Sequence, residues 1–480
     1  MKSQTAARLE LLKQRLAAAG LAAEGAAPAA SATPVVPEGT LGVAERRMWK
    51  IYGFDPESLS HNIGLVLDFE GGYGLEEVIA SFETMVEHAA VLGSLITVAE
   101  DGTPRRVRTE IAGRWAEPGA VWEWGTIPAA AQGDSDIRSA ADTFTKSPFD
   151  LTREPPLRAR ITRGADDRVT VALVVHHLAV DDTSWPLLLG TLVSGAWPEA
   201  DDRPVRSTAP VTQDDVARAL AHAQNTWAAE GIRFPLDGTL PDISPEQSWL
   251  SPMDESAGIR FERPVPGSDI AALEAVAREV GATQNALLIG VCALGVYGLT
   301  GEADHVLLIP ADNRRQGEGP ATVGYTGNIV PMRFRFDPES TVREALRTAA
   351  SVVYGSMEFA GVDYGTVLTA LRGAGGRFPV AEIMASVRNA PLRGIPVPPD
   401  RTVTCESVFH GIGNYPLTLA FELGADDSVH LEIDHQPGPV DDARAQRAAD
   451  ITTALVARIP SALDLPLADL VGAVREPQLV

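Results

Sequence analysis

The segment His176-His177-Leu178-Ala179-Val180-Asp181-Asp182 gathers the side chains best able to move a proton. Imidazole exchanges its proton near neutral pH, which suits it to assist a nucleophile attacking an acyl group. The carboxylates that follow could orient a ring or hold the loop. The preceding residues, Arg168 to Val175, read as a strand, alternating and then continuously apolar. Strand alternation puts His177 on the face of Val171, Leu173 and Val175, and His176 with Thr170, Ala172 and Val174. Adjacent histidines then point opposite ways, so one is expected to be structural and the other to face a cavity. A buried histidine satisfied by backbone groups is the competing reading, and the residues alone leave both open.

Other chemistries find less support. Histidine and aspartate are metal ligands, but diverging neighbours without a third cluster do not build a site, so no metal is expected. No G-x-S-x-G elbow marks a serine nucleophile, and no G-x-x-x-x-G-K-[ST] loop marks a nucleotide.

These residues sit in a chain of 480, long enough for two domains, and its 45% hydrophobic content lets each bury a core. A formal net charge of −24 disfavours nucleic acid and anionic membranes as partners. Cys292 and Cys405 cannot make a disulfide framework, so a reducing compartment is expected. The chain is expected to be cytoplasmic and monomeric. The first thirty residues interleave Lys2, Arg8, Lys13 and Arg15 with alanine and lack the apolar core of a secretory signal. No apolar run reaches membrane-spanning length. Arginine outnumbering lysine, with abundant alanine, points to a GC-rich bacterial genome.

The pattern is mixed α/β. Leu9, Leu12 and Leu16 predict a short helix over 6–19, followed by an Ala/Pro/Ser-rich linker to residue 37. A frayed or packed N-terminal element is favoured there over a docking helix. Strands are predicted at 63–69, 306–309, 329–336, 383–387, 417–423 and 429–433, and helices at 75–90, 270–280 (stopped by Gly281) and 285–297. Residues 198–215, rich in Asp, Pro and Arg, could separate two lobes, placed at 38–205 and 206–480.

The histidine segment resembles the His-His-x-x-x-Asp-Gly signature of the condensation domains of nonribosomal peptide synthetases. The likeness runs through roughly residues 38–470, with further elements in order. Ala44-Glu45-Arg46-Arg47-Met48-Trp49 looks like A-Q-x-R-L-W, and His88 to Ser94 is a degraded R-H-E-x-L-R-T. Pro148-Phe149-Asp150-Leu151 and Pro156-Leu157-Arg158-Ala159 resemble P-F-D-L and P-L-x-R-A. Thr283 to Leu288, Pro310 to Arg314, Val323 to Asn328 and Arg377 to Asn389 resemble T-x-x-A-L-L, P-x-A-x-R, I-G-x-F-V-N and R-x-P-L-F-Q-V…Q-N.

The resemblance implies two lobes, each similar to chloramphenicol acetyltransferase, in a V with the site at their junction in a tunnel open at both ends. It implies an acyltransferase acting in natural-product, including antibiotic, biosynthesis. The enzyme would join a carrier-bound acyl or aminoacyl thioester to an amine or hydroxyl, the acceptor being on a second carrier or a free small molecule. Partners would be peptidyl or acyl carrier proteins whose phosphopantetheine arms bring the substrates, with no cofactor bound by this chain. Carried over by position, His177 is the catalytic candidate and His176 packs. Asp181 is structural and is expected to pair with Arg314. Ser184, Asn328 and Asn389 are candidates to line the tunnel.

Asp182 stands where the signature has glycine, and a bulkier residue there is expected to alter the loop beside His177. That departure motivates a second reading, a condensation-like module that recruits a carrier protein or an oxygenase without turnover. His-His-Leu-x-Val-Asp-x-x-Ser-Trp also resembles epimerization domains, although their E-G-H-G-R element is missing.

Overall fold

The computed structural model describes residues 39–133, 136–164, 166–198, 211–229, 236, 256–312, 323–374 and 382–475. The helix expected over 6–19, its linker and Arg314 lie outside the described residues. The chain divides into two compact α/β units, one comprising residues 1–210, 314–326 and 394–410, the other 211–313, 327–393 and 411–480. A single cut along the chain therefore does not separate them, because two later segments return to the first unit.

The first unit holds a six-stranded sheet in the order Thr402–Val408, Asn62–Glu70, Val169–His176, Leu157–Arg163, Val121–Trp124, Arg114–Glu117. All its pairings are antiparallel. Val169–His176 lies inside the sheet with every residue buried, which accounts for its nearly continuous apolar run. Helix Ile137–Thr145 packs directly on this strand and on Asn62–Glu70, with Ala141 against Val66 and Ala172. Gly64 permits the close approach: a Cβ there would stand 2.1 Å from the Thr145 hydroxyl. The strand Thr402–Val408, from far along the chain, completes the edge by pairing Gly64 with Val408 through Glu70 with Thr402.

The second unit holds a mixed sheet in the order Gly327–Arg335, Asp304–Asp312, Ile383–Asn389, Leu417–Leu423, Val429–His435, Ile259–Val265. Ile383–Asn389 runs parallel to both of its neighbours. Helix Gln284–Thr300 is apolar on all sides because helices Gly267–Val280, Val342–Met357 and Asp442–Ala462 surround it in one core. Gly281 ends Gly267–Val280 with φ 76°, the left-handed conformation that glycine adopts without strain, as its position in the sequence predicts. Among the described residues no single helix is long and apolar enough to cross a membrane. Gly267–Val280 and Gln284–Thr300 together have the length and composition, but they are bent by 103°.

Candidate functional site

The site is built where the strand Val169–His176 runs out. Its ladder continues for one bond beyond the strand: the His176 N–H donates to Pro156 O (2.9 Å) and the His177 N–H to His61 O (2.7 Å). A tight turn follows, with Ala179 N–H bonded to His176 O (2.9 Å) and Ser184 N–H to Asp181 O (2.9 Å). His177 therefore lies in the turn, not in the strand as alternation had it, and the strand's last residue is His176.

The two imidazoles have opposite environments. His176 is 3% exposed and meets the rings of Tyr52 and Phe149 edge-on, with centroids at 5.8 and 6.1 Å. Its Nδ1 accepts from the Leu178 N–H (3.1 Å), so the ring proton of the neutral form is on Nε2. Burial holds its pKa well below the usual histidine range, and the charges of His61, His177 and Arg158 push the same way. His177 is half-buried, and its Nδ1 lies 2.7 Å from Val180 O. A carbonyl only accepts, so Nδ1 carries the proton and Nε2 keeps a lone pair. That Nε2 has no hydrogen-bond partner among the described residues. One ring is thus buried and the other half-buried, and the turn and its hydrogen bonds produce the difference.

Asp181 is 4% exposed and holds the turn. One of its oxygens accepts from the hydroxyls of Thr183 (2.8 Å) and Ser184 (2.9 Å). The other accepts from Thr326, by both its N–H (2.9 Å) and its hydroxyl (2.8 Å). The segment Val323–Thr326, one of those returned to the first unit, is thereby fastened to the histidine loop. The expected partner Arg314 lies outside the described residues, and Thr326 was not foreseen in this role.

The remaining candidates are placed as follows. Ser184 has no exposed surface and links Asp181 to Gly324, so it fastens the loop and does not line a cavity. Asp182 is exposed, and its backbone is not among the left-handed residues, so it occupies its place in the turn without left-handed backbone strain. Asn328 and Asn389 belong to the second unit. Asn328 is 3% exposed and its amide is engaged, donating to Ala360 O (2.8 Å) and Val362 O (2.9 Å) and accepting from the Tyr364 N–H (2.9 Å). It works as a staple there, whereas Asn389 is exposed at the end of its strand.

Two further groups bear on the site. Arg158, in the Pro-Leu-Arg-Ala element, is 2% exposed and bridges Glu154 to the carbonyls of Phe144, Ser147 and Pro148. This ties the chain around Phe149 beneath His176. His61 is half-buried, its Nδ1 2.8 Å from Ser60 Oγ, and burial lowers its pKa, with the charges of His177 and His410 adding to the effect. No motif marked His61. Among the described residues, no cluster of three or more histidine, cysteine, aspartate or glutamate side chains could hold a metal ion.

Residues 39–226 match the family model for the condensation domain. The chain is 24% identical over 465 residues to the phosphinothricin tripeptide synthetase PhsB of Streptomyces viridochromogenes, covering 93% of this chain and 38% of that protein. It is 25% identical over 344 residues to N-(5-amino-5-carboxypentanoyl)-L-cysteinyl-D-valine synthase of Amycolatopsis lactamdurans, covering 66% of this chain and 9% of that one. It thus spans well under half the length of these relatives. Among solved structures, the first condensation domain of the calcium-dependent antibiotic synthetase, in complex with a substrate analogue, superposes with a TM-score of 0.68 at 17% identity, over 90% of this chain and 98% of that one. The four-domain nonribosomal peptide synthetase AB3403 gives 0.69 at 16%, over 92% of this chain and 34% of that one. The chain thus shares the fold of these condensation domains, and its residues 39–226, which carry the histidine signature in its turn, match the condensation-domain model.

Proposed function

We propose that this chain joins a carrier-bound acyl or aminoacyl thioester to an amine or hydroxyl acceptor, with His177 as the base. The observation that carries this reading is the 2.7 Å contact from His177 Nδ1 to Val180 O, which leaves the Nε2 lone pair on a half-buried ring. As the acceptor nitrogen or oxygen bonds to the thioester carbonyl carbon, Nε2 takes its proton. The tetrahedral intermediate then collapses, the C–S bond breaks, and the imidazolium returns the proton to the departing thiolate. The imidazolium that forms meanwhile keeps Nδ1–H on Val180 O, so the ring need not turn between the two steps. The donor and acceptor arrive on phosphopantetheine arms of carrier proteins, or the acceptor arrives free. Because every atom of the reaction comes from the substrates, no resident cofactor enters.

The test is a loaded donor carrier incubated with acceptor, wild type against His177→Gln. Product formation should fall at least about 100-fold, the scale of a positioned general base. Equal rates would sink the assignment. Tight carrier binding with no product from any acceptor would instead favour a recruiting module. Solvent deuterium at the α-carbon of a bound aminoacyl group, without condensation, would favour epimerization.

A further inference from the structure

We propose that Tyr325 is the positioning residue for the His177 imidazole, locking it in the one orientation that presents Nε2; this rests on His177 being the base. A histidine ring held by a single bond at Nδ1 can still swing about that contact or flip, exchanging nitrogen for carbon at the same place. A second restraint on the ring is needed to keep Nε2 aimed. Tyr325 supplies it: the two rings meet edge-to-face, centroids 5.0 Å apart and planes at 71°.

Tyr325 is itself held on three sides. Its ring packs on the apolar cluster of Leu41, Met48, Phe149, Val174 and Leu178. Its hydroxyl accepts a long hydrogen bond from Arg47 (3.4 Å). Its backbone is pinned before and after, at Gly324 by Ser184 and at Thr326 by Asp181. Both pins belong to the loop that carries His177, so ring and restraint move as one body. The motif that Val323 to Asn328 resembles leaves this position unspecified.

The experiment compares the full-length wild type with Tyr325→Phe and Tyr325→Leu, using two readouts. Nitrogen NMR of labelled histidine, assigned with His177→Gln, reports the His177 tautomer without substrate. Condensation kinetics report kcat and KM separately. Tyr325→Phe should keep the Nδ1–H tautomer and a kcat near wild type, because the ring contact survives. Tyr325→Leu should give a mixture of tautomers and a kcat lower by roughly 10- to 100-fold with KM unchanged, the cost of a misplaced base. Tyr325→Met replaces the leucine variant if that does not fold. A single unchanged tautomer and wild-type kcat in the ring-less variant would overturn the proposal. A wild type without turnover would defeat the functional reading alone, since the tautomer measurement still decides the role of Tyr325.

Discussion

Removing the Asp181 carboxylate should loosen the fastening between the histidine loop and Thr326 by an amount that depends on what replaces it. Asp181 accepts from three hydroxyls and one backbone N–H at 2.8–2.9 Å while almost wholly buried. Hydrogen bonds to a charged acceptor contribute about 1.5–3 kcal/mol each, and they do not add simply. Asparagine can keep its oxygen toward the Thr326 N–H, which cannot turn away, and offer its NH2 to the Thr183 and Ser184 hydroxyls, which can rotate to accept. Asp181→Asn should therefore cost only about 1–2 kcal/mol. Alanine leaves the Thr326 N–H without this acceptor in a buried place, so Asp181→Ala should cost about 3–5 kcal/mol, as when one member of a buried charged pair is lost. Urea unfolding gives the ranking, and amide hydrogen exchange localises it. The Thr326 amide should exchange about 100-fold faster in the alanine variant if some 3 kcal/mol of local protection is lost. Unchanged exchange at Thr326, or equal stability of the two variants, would refute the reasoning.

Three further outcomes follow from the same structure. Arg158→Met should destabilise the first unit by about 3–5 kcal/mol in urea, because it removes the charge partner of the buried Glu154 carboxylate and the donor to the Pro148 carbonyl; a loss under 1 kcal/mol would contradict this. Gly64→Ala should cost about 1–3 kcal/mol by overpacking against Thr145, and adding Thr145→Ala should recover part of that, a coupling that a double-mutant cycle detects. His305 is fully buried between Phe334 and Phe336, and burial lowers its pKa to about 4. Between about pH 6.5 and 4 the unfolded chain therefore binds the proton that the native state refuses, and stability falls as pH drops through that window. The slope from this residue approaches about 1.4 kcal/mol per pH unit, so His305→Phe should flatten the acid limb of unfolding free energy against pH, and identical slopes would refute it.

Periodicity alone located the strand before His177, because a run buried on both faces must be apolar at nearly every position. It also set the two histidines on different faces, but on a premise that fails. Alternation assumes that the strand continues, and what ends it is a turn closed by Asp181 and Ser184, whose bonds reach Gly324 and Thr326 about 140 residues on. No local pattern encodes such a contact. The same holds for Thr402–Val408, a strand that no periodicity marked and that finds its partner only when the chain returns to Asn62–Glu70.

The opposite tautomers of His176 and His177 are what the proposal of His177 as the base requires of two identical side chains. Each Nδ1 is committed to the backbone of the same turn, but to groups of opposite polarity: a donor, the Leu178 N–H, for His176 and an acceptor, Val180 O, for His177. The first bond leaves its ring a proton on Nε2 and no lone pair to offer, inside a pocket that resists charge. The second leaves a lone pair on Nε2. Exchanging the chemistry between the two histidines would require redirecting the backbone of residues 178–180, which the Asp181 fastening prevents. The carboxylate of the signature thus acts on the imidazole without touching it, by fixing the carbonyl that chooses which nitrogen is free.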